Sequence, residues 1–206
     1  MMRVALAIPA YGAIAYETAR SLWRMTSFLT AQGVEYAEIA QLADPDLGRA
    51  RNAIMGAFLR SGAERLLFVD TDVAFAPEDA WKLLTSEADY VGANYPKKSL
   101  GAGWASTPKA GGEVVGALVE AQMLATGLLA LSRAAVEILA SSAPSYLSHD
   151  GHPTPAIATA GPAGGVWLSE DEVMCRRWQA LGQVAWIDTS IDCQHVGTMT
   201  FTRAHA

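Results

Sequence analysis

The chain has 206 residues, of which 51% are hydrophobic and 17% charged, and its formal net charge at pH 7 is −6. This composition is typical of a folded globular protein and excludes a disordered chain, and the length allows one α/β domain with a substantial core. The acidic balance and the lack of Lys/Arg runs argue against nucleic acid as a partner, because a nucleic-acid binder needs basic side chains to neutralise phosphates.

The N-terminal sequence MMRVALAIPAYGAIA predicts a first strand rather than a cleaved signal peptide. Ala13-Ile14-Ala15 is similar to a signal-peptidase site, but Pro9 interrupts the apolar stretch and Arg3 is the only charge before it. No apolar run reaches the roughly 18 residues that a spanning helix needs. The two cysteines lack CxxC spacing and predict reduced thiols. We therefore expect a cytoplasmic protein with no transmembrane segment.

The first half of the chain predicts alternating strands and helices. Short apolar or alternating runs predict strands at residues 3–9, 34–40, 65–69 and 89–94. Apolar residues at helical spacing predict helices at residues 17–31, at residues 47–60 and from Pro77 onwards. This alternation predicts an α/β fold with a mostly parallel central sheet flanked by helices on both faces.

The second half is less regular, and we expect a smaller antiparallel portion there. Residues 95–113 are a Gly/Pro-rich loop, two apolar runs within 114–132 predict a hairpin or a crossed pair of strands, and residues 133–141 predict a short helix. Residues 142–166 hold four of the nine prolines and predict a long irregular segment. Loops of this length inside compact domains are usually functional or disordered.

An acidic pair follows the strand expected at 65–69, in the sequence LLFVDTDVAF. Asp70 and Asp72 would lie at the carboxyl end of a central strand, where open α/β sheets bind ligands. Buried carboxylates need a partner, which can be a cation, a hydrogen-bond network or water. Two such oxygen ligands suit Mg²⁺ or Mn²⁺. Phosphatases of the haloacid dehalogenase type share this motif, but they carry Thr or Val where this chain has Ala74, and theirs lies on the first strand.

Three further groups are candidates for chemistry. Arg49, Arg51 and Asn52 lie at a helix start, which favours anions, although surface arginines are often simply solvated. Ser169 with Glu172 predicts a capping box, and the neighbouring acids fit the positive end of the helix dipole. The neighbouring acids are Glu170 and Asp171. Together with His195, which lies later in the chain, they are also suited to catalysis or metal binding.

Taken in chain order, these motifs resemble a glycosyltransferase of the GT-A fold, similar to the family 2-like enzymes. The resemblance spans residues 3–200 and rests on Ile8-Pro9-Ala10-Tyr11, Arg51-Asn52, Asp70-x-Asp72, Gly92-Ala93-Asn94-Tyr95-Pro96-Lys97, Thr126-Gly127, Glu170-Asp171 and His195-Val196-Gly197. It implies one Rossmann-like GT-A domain over residues 1–206, with a nucleotide-binding half (1–98) and an acceptor-binding half (99–206).

The resemblance implies a donor site that lies over the first strand's turn. Pro9 and Tyr11 would lie near the base of a nucleotide-sugar. Arg49 or Arg51 would lie near the base or the phosphates, with Asn52 beside them. The donor favoured is a UDP-sugar, with a GDP-sugar as the other candidate.

The resemblance also implies a metal ion and a base. Asp72 would bind Mn²⁺ or Mg²⁺ directly, His195 would be a further metal ligand, and Asp70 would contact the ribose or the metal. Asp171, or alternatively Glu170, would deprotonate the acceptor hydroxyl for an inverting transfer. A histidine ligand is also frequent in retaining GT-A enzymes, so the stereochemistry stays open.

The function expected is therefore metal-dependent transfer of a sugar to an acceptor hydroxyl, the acceptor being a glycan, a lipid-linked group or a small molecule. Two alternatives remain. One is a non-catalytic nucleotide-sugar binding domain. The other is a sugar nucleotidyltransferase, which would usually show a Gly-rich phosphate loop and a lysine at the first turn; AYGAIAYE has neither.

Overall fold

The structure is a computed structural model that describes residues 2–98, 101, 103–197 and 200–201. The helices in these ranges are α1 (Tyr16–Ala31), α2 (Leu47–Ser61), α3 (Pro77–Thr85), α4 (Arg133–Ser141) and α5 (Glu170–Ala180). The strands are β1 (Arg3–Ala10), β2 (Glu35–Leu42), β3 (Arg65–Val69), β4 (Val73–Phe75), β5 (Tyr90–Ala93), β6 (Thr107–Pro108), β7 (Val114–Val115), β8 (Leu118–Met123), β9 (Leu128–Ser132), β10 (Ser145–Leu147), β11 (Pro153–Pro155), β12 (Gly161–Ala163), β13 (Val166–Leu168), β14 (Trp186–Asp188), β15 (Cys193–Val196) and β16 (Thr200–Phe201). The predicted domain (residues 1–206) and its two predicted halves (1–98 and 99–206) include residues that lie outside these described ranges.

A large central sheet organises the described residues, with strand order β2-β1-β3-β9-β5-β14-β8-β6 and β7 paired to β8. β1 pairs in parallel with β2 and β3, and β14 pairs in parallel with β5. β9 runs antiparallel between β3 and β5, so β2, β1, β3, β5 and β14 all point the same way. β8 is antiparallel to β14, and the small sheets of the second half are also antiparallel. The predicted fold class, a mostly parallel sheet with a smaller antiparallel portion, is confirmed.

Helices cover both faces of this sheet, as the alternation of elements predicts. On one face Phe58 of α2 and Trp178 of α5 lie in one buried cluster, with Val136 of α4. On the other face Met25 of α1 and Leu83 of α3 lie in a second cluster. Alternate residues of β1 enter the two clusters, which is why its sequence is a continuous apolar run rather than an alternating one.

Local sequence signals fix the ends of the helices. The Asp46 side chain accepts a hydrogen bond from the backbone N–H of Arg49 at 2.9 Å, which caps the start of α2. Gly62 ends the same helix in the left-handed conformation, with φ of 70°. Pro77 lies in the first turn of α3, where it is preorganised for the helix. Among the described helices, none has the length and apolar character that a membrane crossing requires.

The expectation of a hairpin or crossed pair within residues 114–132 is met only by β7 and β8, which form a short antiparallel hairpin, and not by the two apolar runs as a whole. The two main strands there, β8 and β9, belong to the same sheet but are separated by β5 and β14. β9 is apolar and almost wholly buried, so it fits between two other buried strands, where Leu131 pairs with Leu66. β8 is only partly buried and lies towards the sheet's far end.

The segment 142–166 is more ordered than its proline content predicts. β10 and β11 form one small antiparallel pair, and β12 forms another with β13. Strand β4 was not predicted either; it begins directly after the acidic pair and pairs with β15. Short two-stranded pairings of this kind depend on their surroundings, which local propensity does not report.

The segment after β11 is held against the first turns of α2. The side-chain amide of Asn52 donates to the carbonyl of Ala158 at 3.1 Å and accepts from the Ala158 N–H at 2.8 Å. Gly48 makes this approach possible, because a Cβ at that position would lie 2.5 Å from the Ala158 carbonyl oxygen. The contact places one wall of a cleft that is described below.

We expect Gly48→Ala to destabilise the protein, while Gly56→Ala on the same helix does not. A Cβ at Gly56 meets nothing closer than 3.5 Å, so this change gains helix propensity of up to about 1 kcal/mol. The clash at Gly48 should instead lower the free energy of unfolding by about 1–3 kcal/mol. Urea denaturation measures both, and equal stability of the two variants would contradict the close packing of Ala158 on α2.

Candidate active site

The acidic pair lies in the turn that joins β3 to β4, at the carboxyl end of the central parallel strands. The backbone N–H of Asp70 donates to the carbonyl of Gly127 at 2.9 Å. The carbonyl of Asp72 accepts from the N–H of Val196 at 2.7 Å. Backbone bonds to two distant segments therefore fix the turn, so the two carboxylates are held in defined directions.

Asp70 forms an ion pair with Arg51, and Arg51 in turn lies beside Glu170. The Nη2 of Arg51 donates to the two carboxylate oxygens of Asp70 at 2.9 and 3.3 Å. Its Nε lies 3.6 Å from Oε1 of Glu170. The Arg51 side chain is only 1% exposed, and its guanidinium lies 5.5 Å from the centre of the Phe68 ring. One buried cation therefore joins the turn after β3 to the start of α5.

The charge of Arg51 is sustained by these two carboxylates. Burial lowers the pKa of the guanidinium, but the nearby Asp70 and Glu170 raise it more, so its pKa lies above its ordinary value. The Nε and Nη1 atoms have no hydrogen-bond partner within the described part of the chain. Arg51 is thus held by charge and by one nitrogen, and it is not a solvated surface arginine.

Glu170 and Asp171 begin α5, but they have different surroundings. Burial raises the pKa of Glu170, with Arg51 opposing it. Asp171 accepts from the N–H of Glu172 at 2.8 Å and contacts the Ser169 hydroxyl. The predicted capping box is present, since Glu172 accepts from the Ser169 N–H at 2.9 Å. Asp171 is therefore tied to the helix start, whereas Glu170 faces a cleft.

That cleft has a volume of about 640 Å³ and lies between the start of α2 and the start of α5. Glu170, Asn52 and Trp167 of β13 are among the residues that line it, and Trp167 is 71% exposed. The volume is of the size that a ligand cleft has. A carboxylate of raised pKa beside such a cleft is a candidate general base.

Asp72 is enclosed by two basic side chains. His195 Nε2 lies 3.6 Å from its Oδ1, and the Lys98 ammonium contacts its Oδ2. Burial raises the pKa of Asp72, but hydrogen bonds with His195 and Lys98 outweigh this and lower it. The register of β15 on β4 brings the histidine there, since His195 pairs with Val73, the residue next to Asp72.

The hydrogen bonding of His195 fits a metal ligand. Its Nδ1 lies 2.9 Å from the carbonyl oxygen of Pro96. A carbonyl only accepts, so Nδ1 carries the hydrogen, and a neutral ring then has its lone pair on Nε2. When the ring is neutral, Nε2 and the Asp72 oxygen face each other as two acceptors, an arrangement that a cation satisfies; when the ring is protonated, Nε2–H instead donates to Asp72. Carboxylate and imidazole are both ligands of Mn²⁺-type ions, and an outer carbonyl partner is usual.

The described residues hold no group of three or more His, Cys, Asp or Glu side chains that could bind a metal ion together. The structure therefore places His195 beside Asp72, whereas Asp70 is not part of this pair. Asp70 instead uses both of its oxygens on Arg51. Within the described residues, a divalent ion here would have two side-chain ligands, Asp72 and His195, and further ligands would come from water and a phosphate-bearing ligand.

The other predicted binding residues are exposed, buried or already hydrogen-bonded within the protein. Tyr11 is 70% exposed just past the end of β1, whereas Pro9 is buried within that strand. Arg49 makes two hydrogen bonds to Asp44, of 2.8 and 2.6 Å, so its guanidinium is already paired. The Asn52 amide is used by the backbone of residue 158.

The sequence analysis assigned no role to three residues that shape this site, although Tyr95 belongs to one of the motifs that carry the resemblance. They are Asp44, which pairs with Arg49, Lys98, which pairs with Asp72, and Tyr95, whose hydroxyl accepts from the N–H of Gly127 at 2.9 Å. An acid five residues before Arg49 was a readable signal for the first pair. The other two contacts join segments far apart in the chain, and no local pattern announces them.

Comparison with known proteins supports the fold. No protein-family model matches the chain, and no curated protein does. Among solved structures, the protein A197 from STIV aligns with a TM-score of 0.62 at 15% identity, over 100% of this chain and 92% of that one.

Two solved transferases are also similar in fold. The Drosophila beta-1,4-galactosyltransferase 7, a mutant in complex with manganese, UDP-Gal and xylobiose, aligns with a TM-score of 0.50 at 16% identity, over 100% of this chain and 72% of that one. The inositol-1-phosphate CTP transferase from T. maritima aligns with a TM-score of 0.50 at 11% identity, over 100% and 91%. Likeness at such identities shows a shared fold and no more.

The opposite pKa shifts of two neighbouring glutamates predict opposite pH effects on stability. The pKa of Glu170 is raised from 4.5, so its contribution is lost as pH rises through the folded-state value. The pKa of Glu172 is lowered from 4.5, so its contribution is lost as pH falls. Between about pH 3.5 and 7, the stability of wild type relative to Glu170→Gln should fall with pH, and relative to Glu172→Gln it should rise.

Chemical denaturation across this pH range measures both differences. Because the two residues occupy the same turn of α5, each variant serves as the control for the other. Differences of the same sign would show that the buried position of Glu170 beside Arg51 is wrong.

Proposed function

We propose that the protein is a glycosyltransferase that moves a sugar from a nucleoside-diphosphate sugar to an acceptor hydroxyl, with Mn²⁺ or Mg²⁺ as cofactor. The observation that carries the proposal is the pairing of Asp72 with a histidine whose other ring nitrogen is fixed by a carbonyl. Asp72 lies two residues after Asp70, which Arg51 connects to Glu170. The candidate cation site and the candidate base are thus linked through the turn after β3 and the ion pair between Asp70 and Arg51.

Asp72 and His195 would hold the metal ion in this proposal. When bound, the ion would supply Lewis-acid stabilisation of the negative charge on the departing diphosphate. Tyr11, exposed at the end of β1, is the aromatic side chain available to the base of the donor. A UDP-sugar is the favoured donor and a GDP-sugar the other candidate.

Arg51 and Asn52 have positioning roles in this account rather than direct contacts with the donor. Arg51 is too deeply buried to reach a ligand without leaving Asp70, and it fixes the direction of that carboxylate. Asn52 anchors the cleft wall through Ala158. Arg49 already donates two hydrogen bonds to Asp44, so only its remaining N–H groups can donate to a ligand.

Glu170 is the base that the surroundings favour, with Asp171 as the other candidate. Its raised pKa makes its carboxylate a stronger base than an exposed glutamate, and its side chain lines the cleft. The acceptor oxygen would attack the anomeric carbon as its proton passes to the Glu170 carboxylate. The bond from that carbon to the diphosphate oxygen breaks, and its electron pair leaves with the diphosphate. A single in-line displacement of this kind inverts the anomeric configuration.

Nucleotidyl transfer is the second candidate, because the CTP transferase is as similar in fold as the galactosyltransferase, with a TM-score of 0.50 in both cases. The two reactions leave different products: a sugar donor is cleaved to a nucleoside diphosphate, whereas nucleotidyl transfer releases pyrophosphate from a nucleoside triphosphate. A non-catalytic binding domain would release neither.

The test measures both nucleotide binding and turnover. We expect UDP with Mn²⁺ to raise the melting temperature of wild type more than either alone, since ligands that bind only the native state stabilise it. Asp72→Ala should abolish that gain, and Asp79→Ala, an acid on α3 paired with Lys82, should keep it. Glu170→Gln should bind UDP with Mn²⁺ normally but release UDP from UDP-sugar about 10²–10⁴ times more slowly.

Glu172→Gln controls for disturbance of the start of α5 and should turn over as wild type does. Stabilisation that survives Asp72→Ala would contradict the metal site. Release of pyrophosphate from a nucleoside triphosphate, with no UDP release from UDP-sugars, would establish the second candidate. Nucleotide binding without release of either product would indicate a non-catalytic binding domain.

A further inference from the structure

Lys98 is a cation that the protein itself places on the proposed metal ligand. Its ammonium contacts Oδ2 of Asp72, while His195 faces Oδ1 of the same carboxylate. The side chains of Lys98 and Asp72 are 34% and 35% exposed, so the pair lies at the surface of the site and remains open to solvent. A surface pair of this kind exchanges partners easily, because its net stability is small.

The segment that carries Lys98 also fixes His195. Pro96 forms an isolated β-bridge with Trp104, and the Lys97 N–H donates to the carbonyl of Gly103 at 2.9 Å. The carbonyl of Pro96 is the group that orients His195 through Nδ1. The backbone just before Lys98 is therefore anchored, and its four-carbon side chain can move without disturbing the histidine.

We propose that Lys98 is an exchangeable counter-ion that makes metal binding depend on the nucleotide. A divalent cation on Asp72 would bring two positive charges next to the ammonium, and the two cations repel each other. The diphosphate of a donor removes this conflict, because Lys98 can leave Asp72 and pair with the phosphates. Lys98 then acts as a diphosphate-binding residue, while without nucleotide it blocks the divalent ion.

This inference rests on the proposed function, since it takes a nucleoside diphosphate and a divalent cation as the ligands. It goes further in stating that the two ligands bind cooperatively, so that each should bind better when the other is present. Arg51 cannot have this role, because it is buried and committed to Asp70. Lys109, on the surface and paired with Glu120, offers a matched control for the loss of one positive charge.

The experiment measures Mn²⁺ binding by electron paramagnetic resonance and UDP binding by calorimetry, in wild type, Lys98→Met, Lys98→Arg and Lys109→Met. Without UDP, we expect Lys98→Met to bind Mn²⁺ about tenfold more tightly than wild type. With Mn²⁺ present, the same variant should bind UDP about tenfold more weakly. Lys98→Arg and Lys109→Met should stay close to wild type in both measurements.

Two results would overturn the inference: Mn²⁺ affinity of Lys98→Met that is unchanged or lower without UDP, or UDP affinity that is unchanged with Mn²⁺. The same changes in Lys109→Met would also overturn it, since they would reflect net charge alone. Failure of the proposed function looks different, because wild type itself would then bind no UDP in the presence of Mn²⁺. A circular dichroism melt of each variant verifies that it is folded.

Discussion

The ion pair between Arg51 and Asp70 joins the turn after β3 to α2, and Glu170 at the start of α5 lies beside the same guanidinium. A guanidinium that is 1% exposed must have its charge compensated, and it has Asp70 on one side and Glu170 on the other. Removing one partner of such a pair costs about 3–5 kcal/mol, because it leaves a buried charge unpaired. The arginine therefore fixes where the turn after β3 lies relative to α5.

Because Asp70 is committed to Arg51, the second acid of the motif takes a different role. Asp72 extends from the same short turn and meets His195, which the pairing of β15 with β4 delivers. In the proposed function the two acids of the motif have different roles: Asp70 has a structural role, and Asp72 would bind a cation. The fold supplies this division: β9 inserts between β3 and β5, and Gly127, just before β9, holds the backbone of Asp70.

Much of the fold was readable from the sequence, because the apolar periods and the caps are local. The strands of the first half, the helix from Pro77 and the capping box at Ser169 are confirmed. The placement of β8 and β9 was not readable, since it depends on which buried slot each strand fits. In the site, the acidic pair and His195 stood out by type and order. Lys98 did not, because its contact with Asp72 spans 26 residues of chain.

The proposed function requires a divalent ion to bind at Asp72 and His195 together with a nucleoside diphosphate. Pulsed electron paramagnetic resonance of the protein with Mn²⁺ and UDP tests it most directly, because the spectrum reports the nuclei bound to the ion. We expect coupling to one imidazole nitrogen and to phosphorus, with the nitrogen signal lost in His195→Ala. Phosphorus coupling without any histidine nitrogen in wild type would contradict the proposed function.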